Sequence, residues 1–306
     1  MNDGTPGQST FEQRLRAGRF AITAEIAPPA SCDADELRRK AERLVGVADA
    51  VNVTDGAGAR ASMSALAAAT ILRGMGIEPI LQLTCRDRNR LALQGDLMGA
   101  AALGIRNLLL LTGDDPKAGD QPDTKPVFDV NSNALIETAR RLRDDAMLPT
   151  GRKVGGKAAF FIGAADMPID PPLGWEPKAL AAKVKSGAQF AQTQFCMDTA
   201  IVRRYAGVLE AAGLTRQLAI LIGVTPLRSA KSAAWMKSHL FGTIISEAII
   251  TRMADAPEPE REGVRICSDL IAELSTIPGI AGAHIMAPGN DTAIPEVIAA
   301  VRGRLK

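Results

Sequence analysis

For 306 residues the chain has little histidine and little cysteine: His239 and His284, and Cys32, Cys85, Cys196 and Cys267. The cysteines stand far apart with no short pair spacing. That excludes a disulfide scaffold and leads to the expectation of a cytoplasmic protein. No HxxxH, CxxC or His/carboxylate cluster occurs, so no metal site is expected. GxGxxG and GxxxxGK[ST], the usual cradles for dinucleotides and nucleoside triphosphates, are also missing. No GxSxG elbow supports a Ser/His/Asp hydrolase. Apolar runs never reach the roughly 18 residues that a bilayer span needs, so no membrane partner is expected. Excess charge of one sign is absent: 36 Lys+Arg stand against 34 Asp+Glu. That balance argues against a nucleic-acid or polyanion binder. Residues 1–10 read as a flexible tail, too polar for a signal peptide or anchor, and 11–306 as one catalytic domain.

What is present is 46% hydrophobic and 23% charged, a globular composition. Short aliphatic runs alternate with longer amphipathic segments. Strands are expected over 21–26, 48–53, 79–83, 107–111, 158–163, 190–193, 218–223 and 283–286. Each is short and apolar, as strands buried on both faces of a parallel sheet are. Helical patterns fill 34–45, 62–75, 88–103, 133–145, 177–186, 199–212 and 294–304, with Asp33 and Asn133 read as N-caps. A long stretch, 229–275, reads as two or three helices broken near Gly242 and around Pro257 and Pro259. A small helix over 11–17 is expected to cap the bottom. The α/β pattern predicts a single (β/α)₈ TIM barrel with extra helices in the C-terminal third. A doubly wound sheet is the runner-up, but it usually carries fewer strands.

In such a barrel, chemistry belongs at the C-terminal strand ends. Glu25 lies in Ala24-Glu25-Ile26-Ala27-Pro28-Pro29. Facing outward it would need a buried basic partner. Facing inward it would be desolvated near the mouth and suited to general acid work, and the pattern favours this second reading. Asp114 follows the fourth strand in Leu111-Thr112-Gly113-Asp114. Taken alone it is an ordinary turn with an Asp cap. Gln192 and Gln194 share a strand face, which makes an inward amide pair feasible, and an amide suits a heterocycle edge. Val53-Thr54-Asp55-Gly56-Ala57-Gly58 is weakly specific. Arg86 and Arg88 are either anion ligands or solvated charges at a helix start.

Together these segments resemble the methylenetetrahydrofolate reductase family, from about Phe11 to Leu305. The likeness rests on the segments around Glu25 and Asp114, on Asn52-Val53-Thr54 and Leu83-Thr84-Cys85-Arg86-Asp87, and on Lys183-Val184-Lys185-Ser186-Gly187-Ala188 and Thr193-Gln194-Phe195. The Thr84–Arg90 and Leu111–Asp114 segments are similar to the branch found in acetogens. The resemblance implies a barrel holding a flavin, usually FAD with FMN as the alternative. NADH or NADPH would be the hydride donor and a tetrahydrofolate the substrate. It implies Glu25 as the acid at the folate nitrogen and Asp114 beside flavin and pterin. It also implies Gln194 and Phe195 on the substrate, and Thr54, Gln82, Thr112, Asp129, Ala164, Lys183 and Ala188 on the cofactor.

Three departures stand out. Family members often carry His where this chain has Gln82, and Arg where it has Thr112, so Arg86 or Arg88 would have to replace that cation. The loop after the seventh strand, Pro226-Leu227-Arg228-Ser229-Ala230, lacks the family's stacking aromatic and leaves Phe195, Phe128 or Trp175 as substitutes. A flavin-independent NAD(P)H reductase of the same substrate stays open, as does a non-redox folate one-carbon transferase. A non-catalytic subunit is disfavoured by the presence of Glu25, Asp114 and Gln194. Oligomeric state, a homo-oligomer included, stays open too.

Overall fold

The computed structural model describes residues 9–305. Eight strands follow the expected order: β1 (Ala21–Ile26), β2 (Ala50–Val53), β3 (Pro79–Thr84), β4 (Asn107–Leu111), β5 (Phe161–Asp166), β6 (Phe190–Phe195), β7 (Ala219–Val224) and β8 (Ile280–Ile285). Each pairs in parallel with the next, and β8 closes onto β1. The sheet is thus a (β/α)₈ barrel. Helices α1 (Thr10–Arg16), α2 (Ala34–Ala41), α3 (Ala65–Gly74), α4 (Arg90–Ala102), α5 (Ser132–Asp144), α6 (Lys178–Ser186) and α7 (Thr199–Ala211) precede β7. The expected C-terminal excess is α8 (Ala230–His239), α9 (Glu247–Asp255) and α10 (Pro259–Leu274), with α11 (Ile294–Arg302) after β8. The breaks fall where Gly242 turns at φ +77° and where Pro259 opens α10.

Strand alternation divides the barrel into two cores. Outward residues such as Val51, Leu81, Leu108, Ile162 and Ile220 pack under the helices. Inward residues at the bottom are Ala21, Ala50, Ile80, Leu109, Phe161, Phe190 and Leu221, and α1 drives Phe11 among them. Phe161 stacks on Phe190 at 5.0 Å, and Phe11 meets Phe190 edge-on at 5.3 Å. The bottom-capping helix is therefore an apolar plug. Ser9 caps it by accepting from the Glu12 N–H at 3.0 Å and donating to Asn107 Oδ1 at 2.6 Å. Ser9 and Thr10 thus belong to the fold; residues 1–8 of the expected tail lie outside the described residues.

Two strands depart from their expected bounds by three residues, the others by two at most. β5 runs three residues later than expected, through Gly163-Ala164-Ala165-Asp166, a string poor in β-formers. The ladder explains it: Phe161 N–H bonds Arg106 O at 2.9 Å, and Gly163 pairs with Phe190, whose ring fills the space of a side chain there. β8 starts at Ile280, three residues before the expected 283, because Gly282 reads as a breaker yet is needed where Ala21 O and Leu221 approach. The N-cap of α5 is Asn131, accepting from Ala134 N–H at 3.0 Å, rather than Asn133.

Candidate active site

Above the apolar plug the barrel interior turns polar. Thr23, Asn52, Gln192 and His284 form a buried layer on β1, β2, β6 and β8. Asn52 and Gln192 exchange amide hydrogen bonds, Nδ2 to Oε1 at 2.6 Å and Nε2 to Oδ1 at 3.0 Å. Gln192 Nε2 also reaches Thr23 Oγ1 at 3.0 Å, and Thr23 Oγ1 lies 2.9 Å from His284 Nδ1. Every buried polar group in this layer has a partner, as burial demands.

One step up β1, Glu25 faces inward. Gln82 Nε2 donates to its Oε2 at 3.1 Å, and His284 Nε2 stands 3.6 Å from the same oxygen. The inward reading of Glu25 matches this geometry, with no Lys or Arg paired to it among the described residues. Glu25, Gln82 and His284 open into a cleft of about 1740 Å³ at the C-terminal strand ends.

The cleft also takes Thr54, Thr112, Asp114, Lys183, Gln194 and Phe195. Asp114 Oδ2 accepts the Gly58 N–H at 3.2 Å, tying the loop after β4 to the loop after β2. Gly113 permits that path at φ +99°, where a side chain would crowd Thr84 and Arg86. Lys183 donates to Ala165 O. Gln194 Oε1 accepts from Phe195 N–H at 3.0 Å and its Nε2 donates to Phe241 O at 3.2 Å, while the Phe195 ring sits in the outer core. Gln192 and Gln194 do share the inward face, but Gln192 lies deeper, in the hydrogen-bonded layer.

Three expected cofactor residues fall outside the cleft. Asp129 is locked to Arg90, whose guanidinium donates at 2.7 and 2.8 Å and pulls the carboxyl well below the usual range. Ala164 points outward under the helices, as strand parity requires once β5 is shifted. Ala188 precedes β6, at the opposite end of the barrel from the mouth.

Of the two arginines offered for the missing cation, Arg86 borders the cleft and Arg88 does not. Arg86 is buried, borders the cleft, and is held by Asp87 at 2.7 and 2.8 Å and by Gly56 O at 3.1 Å. The Asp87 hydrogen bonds raise its already high pKa, with Asp55 and Asp114 adding to the effect, so it is a fixed charge. Arg88 is spent on Asp55 and Asp96 and does not border the cleft. Of the three aromatics expected to serve for stacking, Phe195 borders the cleft. Phe128 and Trp175 lie away from the cleft, while Trp235 on α8 and Phe241 beyond it border the mouth with more than half their surface exposed.

His284 is the residue that sequence reasoning missed as part of the site. A lone histidine in an apolar strand offers no motif. Only its register opposite Thr23, two residues below Glu25, identifies its place. At the C-terminal end of β5, burial raises Asp166 although Tyr205 donates to it. Burial likewise pushes the Cys85 and Cys196 thiols up to about 11 and about 12. All four cysteines are free. Among the described residues no group of three His, Cys, Asp or Glu could hold a metal, and no helix is long and apolar enough to cross a membrane.

Fold and cleft together define a (β/α)₈ barrel with an amide-bound carboxylate at the floor of its C-terminal mouth. Residues 10–302 match the family model for methylenetetrahydrofolate reductase, and the chain belongs to that family. It is 26% identical over 274 residues to the 5,10-methylenetetrahydrofolate reductase of Pectobacterium carotovorum, covering 84% of this chain and 82% of that one. It is 24% identical to a probable methylenetetrahydrofolate reductase (NADPH) of Caenorhabditis elegans, over 78% of this chain and 34% of the relative. Methylenetetrahydrofolate reductase 2 of Schizosaccharomyces pombe is 25% identical, over 68% and 32%. The chain therefore spans about a third of the length of the two eukaryotic relatives.

Proposed function

We propose that the protein interconverts 5,10-methylenetetrahydrofolate and 5-methyltetrahydrofolate, with NADH or NADPH as hydride donor and a flavin as carrier. The observation that carries this reading is Glu25, an inward carboxylate at the cleft floor held by Gln82 beside His284. Family membership supports the substrate class. The cleft exceeds the roughly 300–1,000 Å³ typical of a single small-ligand site, which suits a cofactor and a substrate stacked together.

The residues present fit a flavin. Leu109, Leu111 and Ala165 offer apolar wall, and Thr54, Gln82, Thr112 and Lys183 offer polar edges. Arg86 contributes a fixed cation to the same wall. A bound flavin would supply two-electron carriage between nicotinamide and folate. The chain's own task is protonic. Glu25 gives its proton to the folate nitrogen as that nitrogen's bond to the methylene carbon breaks. The resulting iminium carbon takes the hydride and becomes a methyl group. One NAD(P)H and one proton are consumed per methyl group formed, and the reverse reaction returns the proton to Glu25. Asp114 and Gln194 would hold the pterin edge through their remaining acceptors and donors.

A second reading keeps the same substrate but passes hydride directly from NAD(P)H. Thr112 in place of a cation, and Asp129 committed to Arg90, favour it.

Glu25→Gln tests the central role. Flavin reduction by NAD(P)H needs no acid at that position and should be spared. Folate turnover should fall about 10²- to 10⁴-fold, the usual worth of a general acid. Rapid-mixing measurement of the two half-reactions separates them, and equal loss in both would contradict the assignment.

A further inference from the structure

His284 has no role in the steps above, yet the whole buried layer is arranged around it. It is 2% exposed and lies opposite Thr23 on β1 and Gly223 on β7. The reciprocal amide pair fixes Gln192 with its Oε1 toward Asn52 Nδ2. One Nε2 hydrogen of Gln192 then goes to Asn52 Oδ1, and the other points at Thr23 Oγ1, 3.0 Å away. Thr23 already accepts through its oxygen, so its own hydrogen must go elsewhere. The nearest acceptor is His284 Nδ1 at 2.9 Å, against 3.5 Å to Ala283 O. Gln192 Nε2, the other group near Nδ1, is also a donor, at 3.4 Å. Nδ1 is thus surrounded by donors and serves as an acceptor. In the neutral ring the proton then resides on Nε2, which faces Glu25 Oε2 at 3.6 Å.

We propose that His284, locked by Thr23, Gln192 and Asn52 in the Nε2–H form, is a positioning residue that makes Glu25 carry its acidic proton on Oε1. The Gln82 amide and the imidazole N–H both address Oε2. A protonated Oε2 would meet two donors head-on, whereas a bare Oε2 accepts from both. The proton is left on Oε1, the oxygen that neither donor addresses. After transfer, the same two donors stabilise the carboxylate. Contacts of this kind are commonly long before ligands bind, which accommodates the 3.6 Å separation. The groups facing the carboxylate are Gln82 from β3 and His284 from β8, with neutral Asn52 beside it in register on β2.

The proposal rests on the reading of Glu25 as the acid, and its test has a part that needs no turnover. The chain has only two histidines, so ¹⁵N-histidine labelling gives two imidazoles, and His284→Gln assigns them. The wild-type spectrum should show His284 with a pyrrole-type Nε2 and a pyridine-type Nδ1. An Nδ1–H form would overturn the proposal.

Two isosteres supply the second part. Gln at 284 can place an amide N–H where Nε2 was; Asn reaches only to the Nδ1 position, next to Thr23. His284→Gln should keep folate turnover close to wild type. His284→Asn should lose about 10- to 100-fold in kcat with little change in KM, the range typical for partners that orient an active group. NAD(P)H oxidation by an artificial acceptor should be unchanged in both. Equal behaviour of the two variants, or loss in both half-reactions, would mean a merely structural histidine. If wild-type protein shows the Nε2–H form but reduces no folate, the functional reading fails and takes the proposal with it, a result distinct from a wrong tautomer.

Discussion

Asp114 carries a negative charge into the cleft while its Oδ2 takes the Gly58 N–H. The two roles respond differently to substitution. Asn keeps an acceptor for Gly58 but loses the charge opposite Arg86 and half of the carboxylate's capacity to accept from a pterin edge. On the proposed function, Asp114→Asn should weaken folate binding and raise the flavin potential, because a nearby carboxylate disfavours the anionic reduced form. Potentiometric and folate titrations should both shift at nearly constant Tm. A fall in Tm with unchanged potential and affinity would make Asp114 a loop latch only. The residues legible beforehand were those whose polarity interrupts an apolar strand or follows its end: Glu25, Asp114, Gln192 and Gln194. His284 was illegible because its meaning lies in partners more than ninety positions away. Asp129 and Ala188 lie outside the cleft for reasons of tertiary placement: the fold gives one to Arg90 and puts the other at the far end of the barrel.

At the level of elements, helices were easier to place than strands. Breaks divide the stretch that forms α8, α9 and α10, and Gly242 and Pro259 sit where the chain turns. A barrel strand buried on both faces has no alternation to mark its ends, so β5 lies three residues later than its pattern suggests and β8 starts three residues earlier. Gly163 shows what decides such cases. Its hydrogen faces the ring of Phe190, itself wedged between Phe161 and Phe11. Gly163→Ala should cost about 1–3 kcal/mol by overpacking, read as a lower denaturant midpoint at an unchanged slope. The same change at Gly155, where an added methyl meets nothing, should leave stability nearly untouched. Equal effects at the two sites would contradict the plug as a rigid floor.

For the molecule as a whole, the cleft should take up a flavin from solution. FAD or FMN added to the protein should bind non-covalently, give a visible absorbance band on the isolated complex and raise Tm. At a hundredfold excess over Kd, mass action contributes about 2.7 kcal/mol. No band and no thermal shift with either flavin would favour direct hydride passage from NAD(P)H.

The layering of the barrel interior also governs traffic. Below Glu25 the way is closed, first by the saturated layer of Thr23, Asn52, Gln192 and His284 and then by the aromatic plug. Among the described residues the open side of the carboxylate is the mouth. On the proposed function, a folate entering there would be the stopper as well as the reactant. A proton given up by Glu25 would then be replaced only after the product leaves, and the acid would recharge in the interval between ligands.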